Sequence, residues 1–165
     1  MSFLKTLLPA SANNDFRGGR VPLAGFGLLI ALTAFRSLVH LLKDDSGVNS
    51  IASIHLFPGD PDPNQVIYMY SSLWGGQQLI LVVLYLIVLA RYRNLIPLMF
   101  GLMALEVLLR LTTGILHPLT EEFYVRTPPG KLGNLPLLGA SLLLLYLSHR
   151  GVAKSAGSSP QTAKT

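Results

Sequence analysis

Apolar positions along this chain come in four long blocks, not in the alternation of a half-buried strand or the one-sided stripe of a surface helix. The blocks run over about Val21–Leu42, Ile67–Leu89, Leu95–Leu116 and Leu132–Leu147. A helix rises about 1.5 Å per residue, so about 20 residues cross a hydrocarbon layer of roughly 30 Å. The first three blocks are long enough, and the shorter fourth predicts a span with little tilt. The pattern therefore predicts an all-α polytopic membrane protein, a four-transmembrane-helix up-down-up-down bundle over residues 21–150. Residues 1–20 form a polar leading segment. Residues 151–165, rich in Ser, Ala, Gly, Thr and Lys, predict a disordered tail. The first block is read as a retained span and not a signal peptide, because a long polar segment precedes it and the block is itself long enough to cross.

Composition supports this reading. Only 13% of the residues are charged and 50% are hydrophobic, whereas a soluble domain carries about 25% charged residues. The net charge of +5 sits between the apolar blocks, so it speaks for topology and not for nucleic acid. With the N-terminus cytoplasmic, the inner segments hold Lys5, Arg17, Arg20, Arg91, Arg93, Arg150, Lys154 and Lys164, against Lys43, Arg126 and Lys131 outside. The positive-inside rule then places both termini in the cytoplasm, and the composition fits a multi-pass protein of the cell inner membrane. Asp44, Asp45, Asp60, Asp62, Glu121 and Glu122 all fall outside.

Two outer loops are expected. The first, from Lys43 to about Gln65, contains the turn signal Asp60-Pro61-Asp62-Pro63-Asn64 and the apolar residues Ile51, Ile54, Leu56 and Phe57, placed to lie at the membrane surface or to cover the bundle. In the second, Thr127-Pro128-Pro129-Gly130 reads as a helix stop, with the chain re-entering the membrane at Leu132.

Ionisable groups inside the blocks are the informative exceptions, since each costs at least about 2.5–3.5 kcal/mol at the centre of a bilayer. Arg36 and His40 lie four apart on one face of the first helix, with Thr33 a turn below. Glu106, Arg110, Thr113 and His117 form a stripe down the third, and Ser71, Trp74 and Gln78, with Gln77 beside them, one on the second. Asn134 opens the fourth. Arg36 and Arg110 each precede the outer helix end by six residues, about 9 Å of rise. The polar groups thus gather in the outer half, while the inner halves are almost wholly apolar. This asymmetry predicts a polar pocket beneath the outer loops. Its ligand-binding candidates are Arg36, His40, Trp74, Gln77, Gln78, Glu106, Arg110 and Asn134.

Two arginines against one glutamate leave a positive surplus that suits a lipid-like or anionic ligand. The same groups would also serve as interhelical glue, with Glu106 and Arg110 pairing at i, i+4. A third reading is acid–base chemistry on a lipophilic substrate, with Glu106 as base and His40 or His117 as proton carrier. A partner subunit or a second copy of the chain is a further candidate for covering an apolar face. The chain has no cysteine, which excludes disulfides and thiolate chemistry. The spacings of His40, His55 and His117 match no metal-ligand pattern, and no phosphate loop, nucleophile elbow or cofactor signature occurs, so neither metal nor cofactor is implied.

Trp74-Gly75-Gly76, the basic turn Arg91-Tyr92-Arg93 and a following helix carrying Glu106 and Arg110 together resemble the bacterial four-helix membrane proteins of the DoxX-like type. The likeness spans about residues 73–116. It implies four helices, a short basic inner turn and an arginine in the third helix, and it carries over no catalytic residue. The long first outer loop and the Thr127–Gly130 element depart from the simplest form of that pattern.

Overall fold

Four long helices account for most of the protein, described here from a computed structural model over residues 2–157. A short helix α1 (Phe3–Leu7) is followed by α2 (Arg20–Leu42), α3 (Asn64–Arg91), α4 (Ile96–Leu116) and α5 (Pro129–Gly157). The four long helices are each long and apolar enough to cross a membrane, and no more than 39% of the most apolar stretch of any of them is buried within the protein. Such helices leave much of their surface for lipid, which is how a chain apolar on all sides satisfies its backbone and its side chains together. The fold is a four-helix bundle, as the block pattern predicts.

Boundaries differ from expectation at the last helix. It starts at Pro129, inside the element read as a stop, and runs to Gly157, through the first part of the expected disordered tail. Proline is favoured in the first turn of a helix, where no N–H bond is lost, so the Pro128-Pro129 pair starts α5. Its far end is held by packing. A Cβ on Gly151 would lie 2.5 Å from the Gly18 carbonyl oxygen, so glycine there lets the leading segment lie directly on α5. The rest of the tail, 158–165, lies outside the described residues.

Chain order defines two ends. The turn end carries the 91–95 connection, and the loop end carries the two long loops. α2 packs chiefly on α3 and α4 chiefly on α5, while α2 also touches α5. The hydrophobic core lies toward the turn end: Phe26 and Ile30 on α2, Tyr85 and Val88 on α3, Ile96, Phe100 and Met103 on α4, and Leu145 on α5. Phe26 meets Tyr85 and Phe100 edge-on, with ring centroids 5.9 and 5.6 Å apart, an arrangement that aligns ring edges with ring faces.

The leading segment closes the turn end. Asn94 accepts from the Asn13 amide at 2.8 Å and donates to the Ser11 carbonyl at 2.7 Å. Buried Thr6 hydrogen-bonds His149 at 3.0 Å. At the loop end the two loops pair with each other. His55 donates to the Phe123 carbonyl at 3.1 Å, Val125 donates to the Ser53 carbonyl at 2.7 Å, and the Phe57 and Phe123 rings meet at a tilt of 53° with centroids 6.0 Å apart. Buried Asn64 exchanges hydrogen bonds with both backbone groups of Phe57, at 3.0 and 2.8 Å, and so ties the first loop to the start of α3.

Candidate functional site

Three helices bring the polar exceptions together. α2 supplies Arg36, α3 supplies Gln78 and α4 supplies Glu106 and Arg110. Arg36 donates to Gln78 Oε1 at 2.8 Å, and Gln78 Nε2 donates to Glu106 Oε1 at 2.7 Å. Arg110 donates to Glu106 Oε2 at 2.9 Å, and the Arg36 guanidinium lies 3.5 Å from Glu106 Oε1. Gln78 is the bridge: its amide accepts from an arginine on one side and donates to a carboxylate on the other, which only a group with both functions can do. Ser37, fully buried, contributes a longer contact of 3.4 Å to Gln78 Oε1 while donating to the Thr33 carbonyl at 2.7 Å.

The helix approach that permits this is set by Gly75. A Cβ there would sit 2.8 Å from His40 Cβ and 2.9 Å from both the Ser37 carbonyl oxygen and the Leu41 amide nitrogen, so only glycine lets α3 lie this close to α2. One turn away, His40 Nδ1 lies 2.7 Å from the Ser46 carbonyl oxygen. A carbonyl only accepts, so Nδ1 carries the hydrogen and a neutral His40 keeps Nε2 as its acceptor. Ser71 donates to the same carbonyl at 3.1 Å. Trp74 packs edge-on against His40, centroids 4.7 Å apart, and lies 5.2 Å from the Arg36 guanidinium carbon, within cation–π range.

A cavity of about 480 Å3 opens beside this cluster, within the range of roughly 300–1,000 Å3 found for small-molecule sites. Arg36, His40, Trp74, Arg110 and Asn134 supply its polar lining. The remaining walls are apolar: Leu32, Phe35 and Val39 of α2, Ile51 and Ala52 of the first loop, Pro128 before α5, and Leu137 on it. The cluster is not fully satisfied. The Nε atoms of Arg36 and Arg110 are buried and have no hydrogen-bond partner among the described residues. Glu106 does not line this cavity. It lines a separate void of about 20 Å3 with Tyr85, Met103 and Leu137.

Of the eight ligand-binding candidates, Arg36, His40, Trp74, Arg110 and Asn134 line the cavity, and Gln78 and Glu106 stand behind it. Gln77 does not belong. Consecutive helix residues are rotated by about 100°, and the turn that buries Gln78 exposes Gln77. The α4 stripe also ends early. Thr113 is exposed and donates back to the Leu109 carbonyl at 3.0 Å, and His117 is exposed beyond the helix end, so neither joins Arg110. As a proton carrier for Glu106, His117 is out of place. Sequence reasoning missed Ser37, Gly133 and Leu137, none of which stands out in an apolar block, while Ser71 of the second-helix stripe and Ile51 of the first loop do reach the site. No protein-family model matches the chain, and no curated protein and no solved structure matches it, so geometry alone speaks for its function.

Proposed function

We propose that this is a small integral membrane protein that binds a lipid-like or anionic ligand in the loop-end cavity, with Arg36 and Arg110 contacting the anion. One observation carries the reading: two guanidinium groups line a cavity of ligand size while sharing a single carboxylate. One positive charge stays uncompensated, and an anion on the cavity side would balance it. Arginine suits that role because its planar fork matches a carboxylate or phosphate. Glu106 and Gln78 act from behind, holding the guanidinium groups in place. Asn134 and His40 add polar contacts at the wall. The distribution of Lys and Arg supports an inner-membrane protein with both termini in the cytoplasm, the cavity then lying in the outer half.

Two other readings gain less from the geometry. Pure interhelical glue calls for a closed, fully paired cluster, whereas this one adjoins a cavity and leaves two buried donors without partners. Acid–base chemistry at Glu106 calls for a carboxylate that a substrate can reach. Here its two oxygens accept from Gln78 and Arg110, and the cavity does not touch it.

The test is a thermal melt of the purified protein in non-ionic detergent with added oleate and, separately, added acetate. Stabilisation by either carboxylate that is lost in Arg110→Gln and in Arg36→Gln supports the reading. Equal stabilisation of parent and both variants, or none at all, contradicts it.

A further inference from the structure

The cavity walls say from which side a ligand comes. Leu32 and Phe35 line it, and at 52% and 67% exposed they are not sealed by a neighbouring helix. The wall is therefore continuous with the helix surface that faces lipid. The end toward the loops is formed by Ile51, Ala52, Pro128 and Pro129, none of which carries charge or a polar side chain. An ion arriving from water meets apolar residues before it meets an arginine, and it must shed its hydration to pass them, which is costly without a partner. A molecule already resident in the bilayer does not face that barrier at its tail. Only its headgroup changes surroundings, and it moves to two guanidinium groups.

Resting on the reading above, we propose that the occupant is a membrane-borne amphiphile with a compact headgroup of one negative charge, the simplest being a long-chain carboxylate. It enters sideways between α2 and α5. The headgroup sits on Arg36 and Arg110, and the chain runs out past Leu32, Phe35 and Leu137 into the lipid. The charge count sets the valence: two guanidinium groups and one carboxylate balance with a single added negative charge, and a dianion would leave a surplus facing Glu106. Chain and charge are then both required, which separates this occupant from a free anion and from a neutral lipid.

Gly133 allows a test that spares the cluster. It lines the cavity, and a Cβ added there meets nothing within 4 Å. Gly133→Phe fills the space where the amphiphile sits. It should leave the unliganded melt unchanged or higher, since glycine is a poor residue inside a helix. The parent protein, Gly133→Phe and Arg110→Gln are titrated in non-ionic detergent with oleate, acetate and oleyl alcohol, and the melting temperature is read. Gly130→Phe replaces Gly133→Phe should the latter fail to melt cooperatively, since Gly130 also lines the cavity with open space at its Cβ position.

Oleate alone is expected to stabilise the parent. Its half-effective concentration should rise about tenfold or more in Arg110→Gln, the loss expected for a charge-assisted hydrogen bond, and by a similar factor in Gly133→Phe. Acetate matching oleate, with Arg110→Gln still sensitive, overturns the amphiphile and leaves the anion reading standing. Oleyl alcohol matching oleate, or no response to either carboxylate, overturns both. An oleate response intact in the cavity-filled variant places the binding elsewhere and overturns the proposal.

Discussion

The two halves of the bundle solve the same packing problem differently. In the turn-end half, Phe26, Tyr85, Val88, Ile96 and Phe100 are each no more than 2% exposed, and all four long helices contribute to one dry core. In the loop-end half, α4 shows Leu108, Leu109, Ile115 and Leu116 on its surface. The space among α2, α4 and α5 there is taken by an ion cluster and a cavity in place of packed side chains. Apolar side chains alone are enough to close a bundle, as the turn-end half demonstrates. The loop-end half keeps charge where leucine would serve packing better, and replacing a buried ion pair by apolar residues is often stabilising. Charge retained at that cost, beside a cavity, is the observation on which the proposed ligand role rests.

Substitutions that attack each half in turn sharpen the contrast. The largest effect is expected in the core: Phe100→Ala should cost about 3 kcal/mol, because the surrounding helices close only partly over the lost ring, read from detergent or denaturant unfolding. Gly75→Val should cost about 2 kcal/mol by forcing α3 away from Ser37 and His40, and it should also weaken anion binding, since Arg36 and Gln78 would separate. Phe100→Ala should leave binding untouched, so the pair divides stability from function. Asn64→Ala should cost about 1 kcal/mol through the two lost hydrogen bonds to Phe57, with faster amide exchange confined to the first loop.

The smallest effect concerns Asp45. Burial alone would raise its carboxyl, but hydrogen bonds from Ser50 and the Gly47 amide, with Lys43 nearby, outweigh that and hold it below the usual aspartate value. A depressed folded-state pKa contributes stability that is present above the unfolded value and is lost as pH falls through the folded one. Asp45→Asn should therefore cost about 0.5 kcal/mol at neutral pH, small because the desolvation of the carboxylate offsets much of what its partners in a surface loop contribute, and the gap to the parent should vanish in acid. A melting curve repeated across pH checks it.

Much of this contrast is legible in the amino-acid order. Charged residues interrupt two of the apolar blocks, and glutamines a third, only in the half that becomes the loop end, so Arg36, Gln78, Glu106 and Arg110 are found by their cost, and the dry core by its uniformity. What escapes is what depends on rotation, on how far each helix stays packed and on distant contacts. Gln77 and Gln78 are equal in sequence, and only the facing of α3 decides between them. The stripe to His117 assumes that α4 stays in the bundle to its end, which it does not. Pro129 reads as a breaker because the same residue that ends one helix begins another. The docking of the leading segment on Asn94, and of the two loops on each other through Ser53 and Val125, joins residues far apart in the chain that carry no local signature.

The claim that the loop-end charge serves a ligand is tested most directly by Glu106→Gln, melted with and without oleate. This change keeps the shape and removes the one carboxylate that both arginines share. The unliganded variant should melt lower than the parent, since two guanidinium groups lose their counter-charge, and oleate should raise it further than it raises the parent, since the added carboxylate now meets two uncompensated charges. A variant that melts lower and gains no more from oleate than the parent does would make the cluster structural and contradict the account.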